Sequence, residues 1–317
     1  MFYVADSVII RVMSNETQSV TTPGETIPVP SSQTRNSEFR SLGDRLTTLV
    51  AEAVIKRSLS FGVDKRIVSL YPDLITVAGG VATIFAAKDG RKFATASTLQ
   101  ERIHRARTGV LWAGVAVSAD LFDGGFARNV DRLLPGVRIN KHGANLDAGQ
   151  DRWAEWLLCM AQLWAAYDRG DRLGIVLATA SGISNFFPSA VRAEAEKAGK
   201  KVPETGKKIS QIRNLRDIFS FLGTRGPRWG NLVLATFSAD SRQQHIFSLL
   251  NIAGNTTSTI DRLNILNDKE IEPTLGPEAI SQARSRSKMF KALGIAGSAL
   301  LVGTALAANN KLSTAKE

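Results

Sequence analysis

The chain has 317 residues, enough for one large domain or two. Lys and Arg number 40 against 29 Asp and Glu, a net charge of +11, and a 44% hydrophobic share excludes a disordered or collagen-like chain. One cysteine excludes a disulfide scaffold and a Cys-rich metal site, and His104, His142 and His245 lie too far apart for a zinc spacing. The basic balance leaves nucleic acid, an anionic membrane or phosphorylated substrates as partner classes.

Residues 1–40 are rich in Ser, Thr, Pro and Asn and read as a disordered tail, most clearly over Gln18–Asn36. The start has neither the positive charge nor the cleavage site of a signal peptide. From Ser41 to Ser69, Leu42, Leu46, Leu49, Val50, Ala53 and Val54 recur at helical spacing among Arg45, Lys56, Arg57, Lys65 and Arg66. That pattern predicts a basic amphipathic helix, suited to an anionic membrane surface or to an ordinary solvated face.

Apolar stretches follow at Leu74–Ala87, Thr108–Ala119, Trp153–Tyr167, Leu173–Phe187, Trp229–Phe237 with Ile246–Ala253, and Phe290–Ala308. Most are shorter than the roughly 20 residues of a spanning helix. Trp153, Trp156, Trp164, Tyr167 and Trp229 sit near segment ends, as interface aromatics do, and small residues are frequent within the stretches. Hairpin signals are sparse and no repeat is visible, so the expected class is all-α. Periodicity alone fits both a membrane bundle and a soluble core.

The chemistry is concentrated between Asp120 and Asp151. Asp120 and Asp123 are spaced i,i+3, and Asp147 and Asp151 are spaced i,i+4, so each pair projects from one helix face. An antiparallel hairpin would gather all four carboxylates. Four ionised carboxylates so close need cations between them, and Mg²⁺ or Mn²⁺ with oxygen ligands would in turn hold phosphates. Gly124 and Gly143 remove side chains where a nucleotide or a helix must come close.

The run D-L-F-D-G-G-F-A-R…G-A-N-L-D-A-G-Q-D resembles the signature of the CDP-alcohol phosphatidyltransferase family, D-x-x-D-G-x-x-A-R…G-x-x-x-D-x-x-x-D. All eight fixed positions match, which average residue usage would give by chance on the order of 10⁻⁶ times per chain of this length. The gap Asn129–His142 is longer than the family's usual one. Tyr71-Pro72-Asp73-Leu74-Ile75-Thr76 resembles the family's P-N-x-x-T with Asp73 in place of Asn. The run Ser189–Glu196 resembles S-Y-x-R-A-R-A-E with Ala190 for Tyr and Glu194 for the second Arg. Arg225-Gly226-Pro227-Arg228 is a weaker echo of a later G-x-x-E-R element.

The resemblance implies a polytopic membrane protein with six spanning helices and an N-terminal juxtamembrane amphipathic helix. The implied membrane domain is 41–268, followed by an extension over 269–317 with an extra apolar helix at 290–308. It implies two divalent ions, Mg²⁺ or Mn²⁺, on Asp120, Asp123, Asp147 and Asp151, with Asp151 as the general base. Asp73, Thr76, Gly124, Ala127, Arg128 and Gly143 would meet the CDP moiety, and Arg192, Arg225 and Arg228 the acceptor. The implied partners are CDP-diacylglycerol, an alcohol acceptor, membrane lipids and a second copy of the chain. The site would face the cytoplasm across the cell membrane. The implied reaction transfers a phosphatidyl group to a phosphorylated polyol such as glycerol 3-phosphate, or myo-inositol phosphate, releasing CMP. A non-catalytic protein retaining the fold would be expected to lack carboxylates that this chain keeps. A nucleic-acid binder would need an aromatic-and-basic face, and the aromatics here lie in apolar segments. One feature opposes the implied topology. Lys88, Arg91, Lys92, Arg102, Arg105 and Arg107 fall where an outside loop is expected, against the positive-inside rule.

Overall fold

The computed structural model describes residues 38–137, 143–202 and 212–314. Among them are eleven helices and no strand, as the all-α expectation requires. The tail expected at 1–40 lies outside the described residues up to residue 37.

Helix α1 (Glu38–Ser60) is the amphipathic segment, and it is shorter than the sequence predicts. Gly62 takes a left-handed φ of 79°, and Asp64 Oδ1 accepts from the Arg66 N–H to start the short α2 (Lys65–Ser69). A left-handed glycine ends the first helix and a side-chain cap begins the next. Ala51 and Ile55 of α1 pack with Val68, Phe126 and Val130, while Leu46 and Leu49 face outward.

Helix α3 (Tyr71–Thr95) begins with proline in its first turn. Thr98 then caps α4 (Leu99–Leu133), its Oγ1 accepting from the Glu101 N–H at 3.2 Å. Both helices thus run through the basic stretch Lys88–Arg107, leaving a connection of three residues. Helix α5 (Gly143–Asp168) does not form the expected packed hairpin with α4; each packs mainly on α3 between them. Two adjacent glycines allow this. A Cβ on Gly79 would meet the Ala119 Cβ at 3.0 Å, and one on Gly80 would strike the Gln150 amide at 2.1 Å.

Asp171 caps α6 (Arg172–Ser184), which turns at Asn185 into α7 (Phe186–Lys197). Asn214 caps α8 (Leu215–Leu222), and α9 (Arg225–Thr236) and α10 (Ser241–Asn267) follow. The C-terminal α11 (Pro277–Thr314) contains the apolar run Phe290–Ala308 and packs on α5, α6 and α7. Its Leu301, Ala305 and Ala308 join Trp156, Leu163, Ile175 and Phe186 in one apolar cluster.

Among the described residues three segments are long and apolar enough to cross a membrane: Leu99–Leu133, Arg172–Lys197 and Pro277–Thr314. The outer surface is more apolar than that of a water-soluble bundle. Large apolar side chains point outward, with Leu111 66%, Ile295 73% and Leu300 53% exposed. Small and polar ones point inward: Gln162, Ser181, Ser248 and Asn255 are fully buried. Interfaces of small residues with buried amides and hydroxyls suit helix association in lipid, where outward apolar side chains carry no penalty.

Candidate functional site

Three helices deliver side chains to one end of the bundle. The C-terminal half of α4 carries Asp120 and Asp123, the first turns of α5 carry Asp151, and the first two turns of α3 carry Asp73 and Thr76. Thr76 Oγ1 donates to Asp123 Oδ2 at 2.7 Å and also lies 3.0 Å from the Pro72 carbonyl. Asp123 is therefore oriented from α3, and it is only 6% exposed. Asp73 lies one turn earlier on the same face of α3.

Arg225, the first residue of α9, joins the carboxylates. Its Nη2 donates to Oδ1 of both Asp120 and Asp151. Sequence reasoning assigned Arg225 to the acceptor; its guanidinium links two of the four acidic positions. Asp147 and Gly143 belong to α5 by their backbone, but the Asp147 side chain and the surroundings of Gly143 lie outside what is described. Among the described residues no three His, Cys, Asp or Glu side chains form a metal-holding group. The donors that converge here (Asp120, Asp123, Asp151 and the Thr76 hydroxyl) are all hard oxygens, and Asp120 and Asp151 already share one cationic partner. That chemistry fits Mg²⁺ or Mn²⁺.

Gly124 and its neighbour have different roles. A Cβ on Gly124 would meet only the Arg128 guanidinium, at 3.4 Å, so Arg128 folds back along its own helix toward this glycine. A Cβ on Gly125 would meet the Thr47 backbone at 3.1 Å. Gly125 is thus the position where α1 seats on α4, and Asn129 Nδ2 secures that contact by donating to the Thr48 carbonyl at 2.9 Å. Ala127 is half-buried beside them.

Beside the carboxylates is an arginine cluster that sequence reasoning saw only in part. Glu155, one turn after Asp151 and fully buried, accepts from Arg152 Nη1 at 2.6 Å and from Arg228 Nε at 2.8 Å. Glu196 accepts from Arg192 Nε at 2.7 Å and from Arg286 Nη2 of α11 at 2.9 Å. Arg262 of α10 shares this neighbourhood with Arg152, Arg192, Arg228 and Glu196. Five guanidiniums thus face two glutamates and Asp151, which lies 3.9 Å from Arg152, leaving an excess of positive charge suited to an anion. Arg192 and Arg228 were legible from their motifs. Arg152 and Glu155 could have been found from the i,i+3 and i,i+4 spacing around Asp151. Arg262 and Arg286 carry no local signal, because only tertiary packing brings them here.

Glu194, which replaces an arginine of the resembled motif, is engaged by Lys197 at 2.8 Å, Lys291 at 2.7 Å and the Ser287 hydroxyl at 2.5 Å. Two lysines therefore offset its charge before it reaches the cluster. Compared with protein-family models, with curated proteins and with solved structures, the chain matches none.

Proposed function

We infer that this chain is a polytopic membrane enzyme that moves a phosphatidyl group from CDP-diacylglycerol to a phosphorylated polyol, releasing CMP. The observation that carries the reading is the convergence of Asp120, Asp123, Asp151 and Thr76 from three helices, directly beside an arginine cluster in which Arg152 and Arg228 are buried. An all-oxygen donor set and an anion-binding wall are what a diphosphate donor and a phosphorylated acceptor would each need. The proposed architecture has six spanning helices plus α11, a site facing the cytoplasm, and a homodimer. Outward-facing Leu, Ile and Val support the membrane placement, and Lys197, Lys200 and Lys201 at the site end support its orientation.

In this reading Asp120, Asp123, Asp147 and Asp151 would hold two divalent ions. Those ions, when bound, neutralise the donor diphosphate and the departing CMP. Thr76 fixes the rotamer of Asp123. Asp73, Gly124, Ala127, Arg128 and Gly143 border the nucleotide. Asp151 takes the proton of the acceptor hydroxyl as that oxygen bonds to the lipid-side phosphorus and the bond from phosphorus to the CMP oxygen breaks. Arg192 and Arg228, with Arg152 and Arg262, hold the acceptor phosphate. Glycerol 3-phosphate is the first acceptor to test and myo-inositol phosphate the second.

The test is purified full-length protein with CDP-diacylglycerol and Mn²⁺, scored for CMP release against glycerol 3-phosphate, myo-inositol phosphate, inositol and serine. Release only with the phosphorylated acceptors is the expected outcome. No release with any acceptor refutes the reaction, and equal release with inositol refutes the role of the arginines.

A further inference from the structure

The opposite end of the bundle carries a feature that the transferase reading does not use. The last turns of α3 and α5 border an open groove of about 740 Å³, a size typical of ligand sites. Its walls are apolar, with Leu157, Met160 and Trp164 from α5, and its rim holds Lys88, Arg91 and Lys92 from α3. Arg91 pairs with Asp168 at 3.1 Å, and its guanidinium lies 5.2 Å from the centre of the Trp164 ring. Lys88 and Lys92 are exposed and make no ion pair among the described residues. Three cations against one carboxylate leave the rim with a net positive charge of two.

The groove lies at a specific depth. Asp151 and Asp168 are on one helix, and the 17 residues between these positions span about 25 Å at 1.5 Å per residue. That is close to the roughly 30 Å hydrocarbon thickness of a bilayer. If the carboxylates sit at one interface, the Lys88–Lys92 rim sits at headgroup level in the other leaflet. Trp164 and Tyr167, stacked edge to face with centroids 5.7 Å apart, are the aromatic pair expected at that level. The cations here oppose the positive-inside rule, so an anion of that leaflet is the natural counter-charge.

We propose that this groove binds an anionic phospholipid of the leaflet opposite the carboxylate site. The phosphate lies between Lys88 and Lys92, and an acyl chain lies along Leu157, Met160 and Trp164. Arg91, fixed by Asp168 and Trp164, shapes the rim. The proposal rests on the membrane placement of the chain and is independent of the transferase chemistry.

The experiment uses full-length protein extracted from membranes and placed in nanodiscs of phosphatidylcholine with 20% phosphatidylglycerol. Lipid retained after release is counted by native mass spectrometry. Wild type is compared with Lys88→Gln/Lys92→Gln and with a control, Lys65→Gln/Arg66→Gln, at the other end. The expected result is preferential retention of phosphatidylglycerol by wild type and by the control. The groove variant should lose about fivefold per lysine, about 25-fold for the pair. Equal retention by wild type and the groove variant overturns the proposal, as does a loss in the control alone. A wild-type dimer that the groove variant breaks, without change in lipid retention, overturns it in favour of a second copy as occupant. Full release of the protein from membranes by alkaline carbonate also overturns it, by a separate route, since the membrane placement itself has then failed.

Discussion

Replacing Glu155 by glutamine tests the buried ion cluster most directly. Glu155 is fully buried, and the side chains of Arg152 and Arg228 that bracket it are each 4% exposed. Its Oε2 accepts from Arg152 at 2.6 Å and its Oε1 from Arg228 at 2.8 Å. Glutamine preserves the shape, but its amide nitrogen is a donor and must face a guanidinium donor. It also leaves two buried guanidiniums without the carboxylate they share, Arg152 keeping only the more distant Asp151 at 3.9 Å. Breaking a buried pair in this way costs about 3–5 kcal/mol. For a chain of this size each kcal/mol moves the melting temperature by about 2 °C, so a fall on the order of 6–10 °C is expected. The one cysteine, Cys159, is fully buried, so a thiol-reactive fluorophore reports unfolding in detergent without further labelling. The double variant Glu155→Gln/Arg228→Gln removes one of the stranded charges and should recover about half of the loss. A Glu155→Gln protein that melts within 2 °C of wild type would refute the reasoning, because the two guanidiniums would then not depend on this carboxylate.

Asp151→Asn should reduce CMP release at least a hundredfold while leaving the melting temperature within a few degrees, since Arg225 keeps Asp120 as a partner; turnover near wild type at saturating substrates removes Asp151 as the base. Arg192→Ala should raise the KM for a phosphorylated acceptor about ten- to a hundredfold and leave that for CDP-diacylglycerol unchanged, with Arg192→Lys recovering part of the loss; an unmoved acceptor KM shows that Arg192 serves only Glu196. At the far end, burial raises the carboxyl pKa of Asp171, but the Gly174 N–H, Ser241 and His245 outweigh it and hold the value below 3.8. Its stabilising contribution is therefore complete above about pH 4 and is lost as pH falls through the lowered value, so melting curves from pH 7 to pH 3 should fall less steeply for Asp171→Asn than for wild type.

The helical class was legible because the apolar runs are local signals and hairpin signals are sparse. So was the pairing of Asp120 with Asp123, since spacing along one helix decides which face a side chain shares. The break at Gly62 was not, because a glycine inside an amphipathic pattern is compatible with an unbroken helix until a cap such as Asp64 competes. The place of α3 between α4 and α5 was hidden for a related reason. Gly79 and Gly80 are ordinary small residues in an apolar run, and only the partners Ala119 and Gln150 give them meaning. The arginine cluster was the least legible part. Arg228 reaches Glu155 across 73 residues and Arg286 reaches Glu196 across 90, and no periodicity encodes contacts of that range. The basic run Lys88–Arg107 lies on the ends of α3 and α4 and not in a long loop, and its charges still oppose the positive-inside rule.

The turn between α6 and α7 has a mechanical consequence. Asn185 Oδ1 accepts from the amides of Asn251 at 3.0 Å and Asn255 at 2.7 Å, and its carbonyl accepts from Arg152 at 3.0 Å. The backbone stays helical through this junction, with the Asn185 N–H donating to the Ser181 carbonyl, so the three bonds tie one point of a nearly continuous helix to α5 and α10 at once. Because Arg152 holds both that point and Glu155, an anion that draws on Arg152 weakens the junction and the ion cluster together.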